Sequence, residues 1–543
     1  MPPAYAPPHP RRTALRRPTR FCDRWSRGRR RARAQASPIE RNIVEIPRGE
    51  AVRDVEHGRR LVVRGGMHLD DAGRLTETDI VIHGNVIADI GPGCADRYPH
   101  AQAIDARGCL ILPGLVNAHT HSYSQLCRHD GAGLPLEPWM MYAWAATAGR
   151  TREEVKLTAQ LQAIEALRTG TTSLLDHLGG AVQHQEAALE AYEEIGIRAR
   201  VAPMISDVPL PQTIGVADED WPAAARHRDP VFAQPAGDDL IDATLDLHRS
   251  WHSPSGRTGV MFGPSSPQRC TPAMMARIAA ISRESGIRVH THLQETRVQA
   301  SLPAPRGASG WLEVMDQHGL LTPLLSTAHN VWLTRSDLDV LAERGVTLVH
   351  NPQSNLQLGS GIAELAAWRG AGVDVALGTD GANCGGSLDM VNAMRFALLL
   401  HRPGRRDPAR WETPASVLHL ATRGGAGLLG LAAGRIAVGA LADLSVFSLE
   451  QPVYASGEDP LATLILSSWD HSARTVIVDG DLVVADGRLT RIDEAQVIGQ
   501  AAEARRELLA RNAPLADYAR AQEQFLIEVA ARAESPRPLM PID

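Results

Sequence analysis

Eight short β-branched or leucine-rich runs, separated by helical stretches, constrain this chain more than any other feature. They fall at residues 110–116, 171–175, 198–204, 258–262, 288–292, 324–328, 347–350 and 373–377. Helical patterns over 153–167, 185–195, 272–285 and 336–344 fill gaps between them, with Thr271-Pro272 and Ser336-Asp337 as helix starts. Strands that alternate with helices predict a parallel sheet, because each crossover must return to the same edge. Eight such units in succession predict an α/β fold with a closed (β/α)8 TIM-like barrel rather than an open sheet.

On either side of these units the texture changes to short alternating strands with turn signals such as Gly65-Gly66 and Asp479-Gly480-Asp481. Neither flank has enough strands for its own core, so both ends are expected to build one small β-sandwich. The resulting layout is a basic tail at 1–55, a first sandwich half at 56–109, the barrel at 110–432, a second half at 433–490 and C-terminal helices at 491–543. A chain of 543 residues has room for this arrangement.

Charge is unevenly spread. Residues 1–40 carry eleven arginines against Asp23 and Glu40, a net +9, leaving −15 on the rest of a chain whose total is −6. The tail's Pro and Arg content, with few apolar residues, predicts disorder. The acidic body argues against nucleic acid as a partner. No apolar run approaches the roughly 18 residues of a membrane span. Six cysteines without a C-x-x-C pair exclude a disulfide framework or a cysteine-based zinc site, and fit a reducing cytoplasm.

The chemistry sits at the strand ends. His119 and His121 are two residues apart, so they face one side at the barrel mouth, where two imidazoles can grip one ion. His292 closes the fifth run, and Glu295 three residues on is placed for proton transfer outside a metal shell. His290 shares the face of His292 but lies deeper, as a hydrogen-bonded core histidine would. His329 and His350 end the sixth and seventh runs, and Asp380 follows the eighth. Imidazoles and carboxylates delivered from several strand ends to one barrel face make a hydrolytic metal site.

Five stretches carry a family resemblance: Leu112-Pro-Gly-Leu-Val-Asn-Ala-His-Thr-His121, Leu134-Pro-Leu-Glu-Pro-Trp139, His292-Leu-Gln-Glu-Thr296, His350-Asn-Pro-Gln-Ser-Asn-Leu-Gln-Leu-Gly-Ser-Gly361 and Leu377-Gly-Thr-Asp-Gly381. From Leu61 to about Arg488 the chain resembles the amidohydrolase superfamily, in its aminohydrolase and chlorohydrolase branch. The resemblance implies that His119, His121, His292 and Asp380 bind one divalent metal, zinc or alternatively iron. It implies that His329 and Asp380 handle the proton of metal-bound water, and that Glu295 protonates the substrate and the departing amine. Gln125, Trp139 and His350 are the expected substrate contacts. The chain's single lysine, Lys156, is not on the fourth run, where two-metal relatives carry a carbamylated lysine, so one metal is expected.

The expected activity is deamination of a small nitrogen heterocycle by metal-bound hydroxide, in a homo-oligomer. S-adenosylhomocysteine deaminases carry Gly-Pro-His after strand four, whereas this chain reads Gly263-Pro264-Ser265. A free nucleobase, pterin or triazine-like ring therefore fits at least as well as a nucleoside. The rival readings are triazine dechlorination or N-alkylamine hydrolysis, and a metal-free scaffold.

Overall fold

Pro113 and Gly114 divide the first expected strand in two. In the computed structural model, which describes residues 60–70, 73–222, 235–251, 256–403 and 407–533, Cys109–Pro113 and Leu115–Thr120 belong to different sheets. The cause is a crowded corner. Gly114 donates its N–H to Asp443 O at 2.8 Å, and the next residue, Leu115, donates to Gly170 O at 3.0 Å. A Cβ on Gly114 would lie 2.1 Å from Thr172 Oγ1 and 2.7 Å from Thr172 Cβ. Gly114→Ala is therefore expected to cost about 1–3 kcal/mol through overpacking, read as a lower urea midpoint with an unchanged slope. The tail expected over residues 1–55 lies outside the described residues.

The barrel strands run in sequence order and are all parallel. Leu115–Thr120, Thr171–Leu178 and Arg198–Ile205 pair successively, and Arg198–Ile205 also takes Thr258–Val260 and Gly263–Pro264. Val289–Leu293, Leu325–His329, Thr347–His350 and Asp374–Leu377 form a second parallel sheet in that order. The ladder is interrupted at the two seams. Hydrogen bonds outside the ladders bridge them: Phe262 N to Arg288 O at 3.0 Å, His290 N to Phe262 O at 2.9 Å and His292 N to Ser265 O at 3.2 Å at one, and Asp380 N to His119 O at 3.0 Å and Thr379 N to Asn117 Oδ1 at 3.1 Å at the other.

Both chain ends meet in one nine-stranded mixed sheet, with hydrogen bonding continuous through it rather than split between separate layers. Cys109–Pro113 lies at the join, parallel to Arg60–Leu69 and antiparallel to Leu444–Ser448. Its core draws Leu61, Val63, Ile80 and Ile111 from one end and Leu444, Val446 and Ile477 from the other. Arg198, buried at the start of its barrel strand, pairs with Asp443 at 2.7 Å and also with Asp479, fastening barrel to sheet.

Helix starts follow side-chain chemistry. Thr271 caps Pro272–Ser285 as expected, accepting from Met274 N. The helix expected from Ser336 begins at Arg335, because Thr334 and Asp337 form a reciprocal capping box. The C-terminal helices Glu494–Arg511 and Ala513–Arg532 do more than cover the outside. Tyr142 donates to Glu523 at 2.5 Å, and Leu515 reaches the wall of the main cavity. Among the described residues no helix is long and apolar enough to cross a membrane, and all five described cysteines are free and buried.

Candidate active site

The strand-end residues converge. His121 Nε2 lies 3.2 Å from Asp380 Oδ1 and 3.3 Å from His292 Nε2, and His119 Nε2 lies 3.6 Å from the same Asp380 oxygen. His329 Nε2 approaches Asp380 Oδ2 at 3.7 Å and His329 Nδ1 approaches Glu295 Oε1 at 3.7 Å. His119, His121, Glu295, His329 and Asp380 are buried. Two positions that deliver them hold left-handed backbone, His329 at φ 72° and Asp380 at φ 64°. Non-glycine residues keep such angles only where surrounding contacts impose them. Asp380 is fixed through its own N–H to His119 O and by Thr120 Oγ1, which donates to Asp380 O at 3.0 Å.

Each imidazole is turned so that Nε2 faces the centre. Nδ1 of His121 bonds His177 O at 2.5 Å, Nδ1 of His292 bonds Ser265 O at 2.6 Å, and Nδ1 of His119 meets His290 Nε2 at 2.8 Å. A carbonyl partner requires Nδ1–H, leaving the Nε2 lone pair free for a ligand. His119 Nε2 is buried with no hydrogen-bond partner. Burial pushes His119 well down and His292 down to about 3, so both are neutral. Burial alone would raise Asp380, but its bonds to His119 and His121 hold it well below the usual carboxylate range. Burial alone would lower His121, but its bond to Asp380 and the His177 carbonyl raise it, so it would give up a proton as a cation binds. Two neutral imidazoles, a third imidazole and an ionised carboxylate form a donor set that fits a divalent cation.

His290 is the core histidine expected, held between His119 and Ser326 Oγ, the latter at 2.7 Å. His177 stacks on His292 with ring centroids 4.8 Å apart. Asn355 Oδ1 lies 2.9 Å from His329 Nδ1 and orients that ring. Glu295 sits beyond the imidazoles. Burial pushes its carboxyl well above the usual range, and the charges of Asp380 and Glu137 push the same way.

A cavity of about 930 Å³ opens from these groups. Of the three expected substrate contacts it contains only Trp139, on the helix Leu136–Thr147. Gln125 is turned away by the short helix Ser122–Leu126, and bonds Gln162 at 3.2 Å and Arg128 at 2.8 Å. His350 packs into the barrel wall, 3.1 Å from His401 and edge-on to Trp368. Neither lines the cavity. The cavity instead presents Tyr123, Glu137, Trp144, Arg150, Arg269 and Gln299, none of which lies on a barrel strand. Gln299 accepts from Glu295 N at 2.9 Å, and Glu137 accepts from Thr296 Oγ1 at 2.7 Å. Glu137 lies within the Leu134–Trp139 motif, two residues before Trp139, so that motif carries the signal for it.

The amidohydrolase family model matches residues 110–483, a stretch that contains every group at the centre. The chain belongs to the amidohydrolase family. This amidohydrolase is 34% identical over 458 residues to the 5-methylthioadenosine/S-adenosylhomocysteine deaminase of Desulforudis audaxviator, covering 83% of this chain and 99% of that protein. It is 31% identical over 444 residues to the 5'-deoxyadenosine deaminase of Methanosarcina mazei, covering 81% and 96%. Among solved structures it resembles a zinc-bound adenosine deaminase from Xanthomonas campestris, with TM-score 0.73, 27% identity and coverage of 83% and 98%. It also resembles a zinc complex of atrazine chlorohydrolase from Arthrobacter aurescens, with TM-score 0.72, 25% identity and coverage of 82% and 100%. Like its relatives, this amidohydrolase is a hydrolase of carbon–nitrogen bonds and a deaminase.

Proposed function

We propose that His119, His121, His292 and Asp380 hold one zinc ion and that the chain deaminates the heterocycle of an adenine nucleoside. The observation that carries this reading is a buried Glu295 carboxyl, 3.7 Å from His329, beside a cluster of inward-turned Nε2 atoms. A divalent cation held there lowers the pKa of water so that hydroxide is available near neutrality. His329, between Asp380 and Glu295, accepts a hydrogen bond from the attacking water and aligns it. Glu295 delivers its proton to a ring nitrogen next to the amino-bearing carbon. It then takes one proton from the water and passes it to the amino group, which leaves as ammonia, and the water's second proton returns to Glu295 as the carbonyl forms. A carbonyl remains on the ring.

The cavity supports a nucleoside over a bare base. It is about 930 Å³, near the top of the roughly 300–1,000 Å³ range of small-molecule pockets. Glu137, buried in its wall, can accept from a sugar hydroxyl. The names of the relatives point the same way. At the Ser265 departure the backbone carbonyl still orients His292. The likeness to atrazine chlorohydrolase keeps triazine chemistry as the second reading. The complete donor set argues against a scaffold.

The test is product release from 5'-substituted adenosines, free purines and pyrimidines, pterins and triazines. Ammonia from the adenosines, with the highest kcat/KM of the panel, is the expected result. Release of chloride or alkylamine from triazines, with none of the amino compounds deaminated, would replace this reading with the second.

A further inference from the structure

Arg150 has no role in the chemistry above, yet it is 7% exposed and lines the cavity. Its Nε donates to Thr147 O at 3.2 Å and its Nη2 to Gly179 O, while its Nη1 has no partner. Its guanidinium lies over the Tyr123 ring, 5.5 Å from the centroid. Among the described residues no carboxylate pairs with it. The two whose charges reach it are committed elsewhere. Glu154 accepts from Arg511 at 2.7 Å, and Asp176 accepts from Ser122 N at 2.9 Å and from Tyr192 OH at 2.7 Å.

A second, half-buried guanidinium lies in the same wall. Among the described residues Arg269 donates to Val208 O at 3.1 Å and Ser206 Oγ at 2.9 Å, and no carboxylate pairs with it. Burial pulls it down to about 10. Arg150 contacts the Gly179–Gly180 turn that follows Thr171–Leu178, and Arg269 contacts the segment that follows Arg198–Ile205. Both cations thus flank the mouths of two adjacent strands. Buried charges are ordinarily paired, because the cost of taking them out of water is otherwise uncompensated. Backbone carbonyls satisfy donors but do not neutralise the charge.

We infer that Arg150, with Arg269 beside the same chamber, binds an oxyanion on the substrate's appendage, a carboxylate or a phosphate monoester. A guanidinium fork matches either group through paired N–H donors. The inference deepens the deaminase reading and rests on its placing the heterocycle in this cavity. It adds a charge requirement that the deamination chemistry does not contain. Arg150 is a specificity residue here, outside the reacting centre.

The test uses zinc-loaded Glu295→Gln protein, in which binding is read without turnover. Calorimetry compares adenosine-5'-carboxylate and adenosine 5'-monophosphate with neutral adenosine-5'-carboxamide. The better anion is expected to bind about tenfold or more tightly than the carboxamide, as charge-assisted pairing implies, and the larger ratio identifies the group. Adding Arg150→Met should bring that ratio close to one, while Arg150→Lys keeps part of it. Equal affinities for all three compounds overturn the inference. So does a ratio that survives Arg150→Met, which would leave Arg150 a packing residue. A charge preference in protein whose Glu295 parent deaminates none of the compounds upholds the anion site and rejects the deaminase reading.

Discussion

Glu295→Gln removes about 10³-fold of turnover, within the range general acid–base groups supply, and leaves the metal content unchanged. The amide matches the carboxyl in size, so the packing around it survives. It cannot deliver a proton to a ring nitrogen and recover one from water. Three observations place the loss in the chemical step. Glu295 lies within 4.8 Å of both His329 and Asp380, it faces His329 Nδ1 at 3.7 Å, and its burial beside Asp380 and Glu137 raises its carboxyl well above the usual range. Steady-state ammonia release and elemental analysis of the same preparation read both halves of the prediction. A near-normal rate would remove Glu295 from the mechanism.

Stripping the metal with a chelator is expected to abolish ammonia release, and one equivalent of zinc to restore it. Purified protein should carry about one equivalent, given a single centre with three imidazoles and one carboxylate. Reloading should also raise the melting temperature, since an ion that binds only the folded state stabilises by about 2.7 kcal/mol at one hundred times its Kd. Protein that holds less than about half an equivalent after growth with zinc, yet is fully folded, would revive the scaffold reading.

The site centre was legible because strand geometry converts sequence position into direction. Residues two apart at a strand end share a face, so His119 and His121 could be paired, and the same rule set His290 below His292. The cavity wall was not legible in the same way. Gln125 follows the same strand, but one short helical turn swings it toward Gln162, and no periodicity announces such a turn. His350 ends a strand like the others, yet its neighbours His401 and Trp368 come from later helices. Arg150 and Arg269 were not legible because an unpaired charge is a property of all surrounding residues, not of a motif. The split at Gly114 was hidden for a related reason. Apolar residues continue on both sides of it, and only the approach of Thr172 shows where one sheet stops.

The mixed sheet also sets a timetable for synthesis. Cys109–Pro113 leaves the ribosome well before its partner Leu444–Ser448. Until then the early strand keeps an open edge, the kind of surface that recruits other chains. Arg198 waits as long for Asp443 and Asp479. A nascent chain that stalls before residue 444 can therefore hold every barrel strand and still lack the clasp that shields its first ones, so ribosome pausing and chaperone supply, more than final stability, should govern its yield in a cell.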